Sequence, residues 1–126
     1  MRKAFLITAT SLAVLLAAGS LSAHHSWLLD RSKLIALTGT ATRLEFANPH
    51  VQVYFQVKDE NGATDTWQAG GPSPNQLARG GWTRDTIKPG DEIIVAGYRN
   101  RDGAMVVRFD SVTLPNGQVF SGYRGR

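Results

Sequence analysis

NPHVQVYFQVK, residues 48–58, contains the clearest strand in the chain. It opens on a turn signal, Asn48-Pro49, and then alternates strictly. Val51, Val53, Phe55 and Val57 fall on one side. His50, Gln52, Tyr54, Gln56 and Lys58 fall on the other. A period of two with one apolar side predicts a half-buried strand. Its core side is the four apolar residues. Its outer side begins with His50, one of only three histidines in the chain.

Upstream, the chain starts with Arg2 and Lys3, then an apolar run from Ala4 to Ala18, then the small-residue stretch Gly19-Ser20-Leu21-Ser22-Ala23. This order is that of a secretory signal peptide. The run is too short for a membrane span of roughly 20 residues, and no basic flank follows it. The expected layout is a signal peptide over 1–23, an N-terminal arm over 24–33, a β domain over 34–121 and a frayed tail over 122–126. A periplasmic protein with no stable membrane span after cleavage is the corresponding expectation. With no cysteine, neither disulfides nor a thiol nucleophile is available. Two of the 14 basic residues fall in the leader, leaving 12 against 10 acidic ones, so the net charge drops from +4 to +2. Those charges are scattered, which argues against a nucleic-acid partner.

Downstream, punctuation divides the chain into short strands. Leu34–Phe46 is rich in threonine and β-branched residues and predicts the first strand, with Gly39 marking a bend. Asn61-Gly62 makes a hairpin turn into a third strand, Thr64–Ala69, carrying Trp67. Ser73-Pro74-Asn75-Gln76 has the chemistry of a helix start: a capping hydroxyl, proline in the first turn and glutamine three residues after the cap. Gly80 suits the stop of that two-turn helix. Pro89-Gly90 leads into Glu92–Tyr98, where Ile93, Ile94, Val95 and Ala96 predict a strand buried on both faces. Ala104–Leu114 is the fifth strand. Met105, Val107 and Phe109 share its core phase, and a bulge near Asp110-Ser111 would bring Val112 and Leu114 back into it. Gln118–Phe120 is short enough to pair only briefly. Three strands, a short helix and two strands predict an all-β, five-stranded OB-like Greek-key barrel, with its helix between strands 3 and 4.

Several local signatures then point in one direction: Ala23-His24-His25-Ser26, Leu37-Thr38-Gly39, Asn48-Pro49-His50, the stretch Gly70–Asn75, Gly81–Asp85 and Lys88–Asp91. Together they resemble the bacterial DUF6152 family of small exported proteins. The resemblance spans the region expected to be mature. It implies an envelope location and a small β fold, and it carries over no catalytic residue.

The histidines are the strongest candidates for chemistry, because imidazole is the commonest side-chain metal ligand. Cleavage after Ser22 would place His25 third from a free amine, a four-nitrogen arrangement suited to Cu(II) or Ni(II). Cleavage after Ala23 would make His24 the terminus, whose amine and imidazole could chelate copper with His50 completing a T-shaped site. The competing reading is a solvated His24-His25 pair and a His50 that caps a turn. A second candidate is a metal-free surface for an envelope protein, glycan or small ligand, built from Gln52, Tyr54, Trp67, Trp82, Arg84 and Asp85. Against it, Trp82 is expected to pack the helix onto the barrel, with Arg84 and Asp85 tying the next loop. Catalysis has little support: Ser26 beside His25 has no carboxylate placed to orient it. The sequence therefore points to a non-enzymatic binding module, with copper as the favoured cofactor and Met105 as core rather than ligand.

Overall fold

The structure, a computed structural model, describes residues 28–123. Its order is β1 (Leu29–Glu45), β2 (Gln52–Lys58), β3 (Thr64–Gly70), α1 (Pro74–Arg79), β4 (Glu92–Asn100), β5 (Val106–Thr113) and β6 (Val119–Ser121). The sheet runs β3-β2-β1-β4-β5-β6, and an additional β3–β5 pairing closes the first five strands into a barrel. All neighbouring pairs are antiparallel except β3–β5, which is parallel. The five-stranded barrel and the helix between strands 3 and 4 are as the sequence predicts.

The long first strand serves two neighbours. From Leu34 to Thr40 it pairs with β4, and from Thr40 to Glu45 it pairs with β2. Gly39 sits at this changeover, where a Cβ would strike the backbone carbonyl oxygen of Gln56. A register shift between Ala41 and Arg43 follows. Strong bending of this kind lets one strand belong to both sides of a small barrel. β1 also starts earlier than expected. Leu29 already pairs with Asn100, so residues 29–33 continue the strand rather than forming an arm. Mixed polarity hid this, because the segment lies along an exposed margin where no apolar period is demanded.

The core is formed by inward residues of every barrel strand. Val51, Val53 and Phe55 are fully buried, together with Ala41, Ala69, Ile93, Val95, Val107, Phe109 and Val112. The predicted bulge is present. Ala96 opposes Ser111 while Gly97 opposes Phe109, leaving Asp110 as the extra residue on β5. That insertion returns Val112 to the interior and leaves Leu114 partly buried against it. Two expectations fail here. Ile94 is 42% exposed, because its side points out from the β1–β4 face, which nothing covers among the described residues. Met105 is 41% exposed, because β5 begins only at Val106, two residues later than expected, and the chain at Met105 is still entering the sheet.

α1 plugs one end of the barrel. Ser73 Oγ accepts a hydrogen bond from Gln76 N at 3.3 Å, as an N-cap does, and Pro74 stands in the first turn. Leu77 is the helix's buried residue. Trp82 follows the helix and enters the core at 2% exposure. Its ring stacks on Phe109 with centroids 5.5 Å apart and meets Phe120 edge-on at 5.6 Å. Its Nε1–H donates to Ser121 O at 3.1 Å, which ties helix, β5 and β6 together. The chain after β6 is also packed. Gly122 is buried, its N–H donates to Asp110 O, and Tyr123 N–H donates to Phe109 O. The expected fraying therefore does not begin at 122.

Candidate functional site

Three separate segments meet at the helix end of the barrel. The β2–β3 ladder continues one step beyond the strands: Val51 N–H donates to Pro72 O at 2.9 Å, and Gly71 N–H donates to Val51 O at 2.8 Å. His50 is thereby held beside the 71–72 loop. The loop can lie there because Gly71 has no side chain; a Cβ would run into the ring of Phe109. Gly122 is constrained by the same ring and brings Tyr123 back over the loop. Tyr123 Oη–H donates to Gly71 O at 2.9 Å, and the same oxygen lies 3.3 Å from His50 Nδ1. The Arg108 guanidinium sits 4.4 Å over the Tyr123 ring. Burial pushes the Tyr123 hydroxyl above its ordinary range, against the pull of the nearby Arg108 charge. Tyr123 therefore keeps its proton at neutral pH.

His50 itself is exposed. His24 and His25, the other predicted metal ligands, lie outside the described residues. Among the described residues no three histidine, cysteine, aspartate or glutamate side chains come together as a metal site.

The predicted partner surface is divided by the structure. Gln52 and Tyr54 do face outward from β2, each half-buried by its neighbours. Tyr54 lies between Arg43 and Gln68 in register, with the Arg43 guanidinium 4.2 Å over its ring. Gln68 Nε2 donates to Gln52 Oε1 at 2.9 Å. The tryptophans are not part of that display. Trp67 is 7% exposed, with Arg99 placed 4.9 Å over its ring, and Trp82 is consumed by the core. Arg84 and Asp85 are exposed, but the loop is tied by its threonines instead. Thr86 Oγ1 accepts from Thr83 N at 2.7 Å, and Thr83 Oγ1 accepts from Asp85 N at 3.2 Å.

Tyr123, Gly71 and Arg108 are the residues that sequence reasoning missed at this end of the barrel. The available signal was a Gly-aromatic pair, Gly122-Tyr123, directly after a strand. Such a pair lets backbone pack closely and then places a large amphipathic ring.

No curated protein is matched by the chain. Among solved structures, a crystal structure of TiaS in complex with an isoleucine tRNA and ATP aligns with a TM-score of 0.44 at 15% sequence identity, over 68% of this chain and 19% of that one. This chain thus spans less than a fifth of that protein's length. The model of the family of unknown function DUF6152 matches residues 12–107, well over half of the sequence, and the chain belongs to that family.

Proposed function

We propose that the protein is an exported, non-enzymatic binding module that holds one copper ion through His50 and the N-terminal histidines His24 and His25. The observation that carries this reading is the hydrogen-bond relay from Gly71 through Tyr123 to His50. Tyr123 has one proton, and it is committed to Gly71 O. Its oxygen is then left to accept from His50 Nδ1–H. That pairing would leave Nε2 with the lone pair a metal needs. A ligating histidine is commonly held in this way by a partner on its other ring nitrogen. An exposed imidazole oriented at the start of a strand is a sound first ligand, and the N-terminal amine and histidines supply further nitrogens suited to Cu(II).

The test is copper binding by the mature, untagged protein purified from the envelope. Sub-micromolar binding of one ion is expected, with loss of affinity in His50→Ala. Tyr123→Phe should weaken binding roughly 10–100-fold, as removing an orienting partner does. Affinity weaker than micromolar, or none lost in His50→Ala, removes the reading.

A second reading is supported by the outer face of β1–β3. There Arg43 is laid over Tyr54, and Gln52 and Gln68 are held by one another, presenting a polar strip on the strands with which OB barrels contact extended ligands. In this version the module engages an envelope protein or a glycan without metal. Copper loading followed by spin resonance separates the two, since the metal-free version gives no specific signal.

A further inference from the structure

Beside the His50–Tyr123 contact, a cleft of about 620 Å³ opens between the end of α1 and the β5–β6 region. We propose that this cleft binds a small oxyanion, the carboxylate or phosphate group of a soluble ligand, between Arg108 and Arg79. The proposal does not rest on copper binding.

Arg108 starts on the outer side of β5 and lines the cleft with Arg79 from the last turn of α1. Gln76, Ser121 and Tyr123 also line it. Among the described residues no acidic side chain lines it. Arg108 is incompletely satisfied by the chain: its Nε is buried and has no hydrogen-bond partner among the described residues. Nε itself is sealed from a ligand in the cleft, so an oxyanion would bond the part of the Arg108 side chain that lines it, a charge-assisted contact with a permanent cation. The guanidinium is also pre-placed, because its plane is held over the Tyr123 ring.

Two features could oppose an anion, and both are limited. Asp110 lies two residues along β5 and is close enough for Arg108 to act on its carboxyl, but it stands outside the lining. Its Oδ1 is itself buried without a hydrogen-bond partner among the described residues, so the two groups do not satisfy each other. The carbonyl end of α1 also faces this region. Its Leu77 oxygen accepts from Gly80 N–H at 2.8 Å and Trp82 N–H at 3.2 Å, and its Ala78 oxygen accepts from Gly81 N–H at 3.0 Å. Those acceptors are already occupied by the chain.

The experiment is an amide-resolved NMR titration of the mature, metal-free protein at constant ionic strength, with inorganic phosphate and separately with succinate. Saturating shifts are expected at Gly80, Ser121, Gly122 and Tyr123. Saturation by phosphate alone assigns the ligand to phosphates, by succinate alone to carboxylates, and by both to the shared oxyanion chemistry. Arg108→Gln should weaken binding by about tenfold or more, the scale of one hydrogen bond to a charged group. Arg79→Gln, a change at an exposed side chain, should weaken it by a smaller factor while leaving the fold intact. Arg43→Gln, on the other face, should bind as the unmodified protein does. Shifts that rise linearly with both anions overturn the proposal. So does unchanged affinity in Arg79→Gln together with a folded Arg108→Gln. If Arg108→Gln fails to fold, unchanged affinity in Arg79→Gln alone overturns it.

Discussion

Replacing Trp82 by phenylalanine tests whether the indole ties helix, bulged strand and last strand into one unit. The substitution keeps an aromatic ring against Phe109 and Phe120 but removes the second ring and the Nε1–H. The bond lost is the one to Ser121 O at 3.1 Å. Losing a part-buried hydrogen bond costs about 1 kcal/mol. The ring is also roughly 40 Å³ smaller, and at about 24 cal/mol per Å³ of residual cavity this adds about 1 kcal/mol. The surroundings cannot collapse freely, since Trp82 is 2% exposed and meets the fully buried Phe109. The expected loss is therefore about 2 kcal/mol, or a fall in Tm of roughly 8–16 °C for a domain of about 100 residues. Urea unfolding followed by far-UV circular dichroism measures it, with the m-value checking that both proteins unfold in the same way. The reasoning also requires coupling to β6: Phe120→Leu should cost less in the Trp82→Phe background than alone. A loss below about 0.5 kcal/mol, the range of an ordinary surface change, would refute the account.

Other consequences are equally direct. Gly97→Ala should prevent normal folding or cost more than about 4 kcal/mol, because a Cβ there runs into the backbone carbonyl of Arg108 at the bulge, and soluble yield with thermal unfolding reports it. A variant that melts like the unmodified protein would show that the bulge is not held by that close approach. Asp110→Asn should change how stability depends on pH. Burial raises the Asp110 carboxyl above its ordinary value of 3.8, opposed by the charges of Arg108 and Arg31. A raised folded value means full stability below the unfolded value, lost as pH rises through the folded one and still missing at neutral pH. Urea midpoints measured from pH 3 to 7 should therefore converge at the acid end and favour Asp110→Asn at pH 7; a pH-independent difference would contradict this.

The extent to which the sequence foretold the structure follows from what constrains each residue. NPHVQVYFQVK is readable because one face is sealed and the other is wet, so alternation has one solution. The bulge at Asp110 is readable for a related reason: Phe109 and Val112 cannot both reach the core without an extra residue between them. The helix start is readable from local chemistry at Ser73 and Pro74. Ile94 and Met105 mislead because apolar character states what a residue tolerates, not whether another element arrives to cover it. The region around His50 is less legible still. It depends on contacts among residues 50, 71, 108 and 123, whose juxtaposition exists only after the barrel closes. Glycines 71 and 122 look like punctuation in the sequence, yet their function is to let backbone lie against Phe109.

The parallel β3–β5 contact has a consequence for how the molecule breathes. It spans three residue pairs, Gln68–Gly70 against Val106–Arg108, whereas β3 is joined to β2 along seven. β3 is thus a door hung on a long hinge and held by a short latch. Local opening free energies are set by the interactions broken, so the first breach of the barrel runs along the latch. Arg108 is the latch's last rung, which places the cleft's arginine on the part of the wall that moves first.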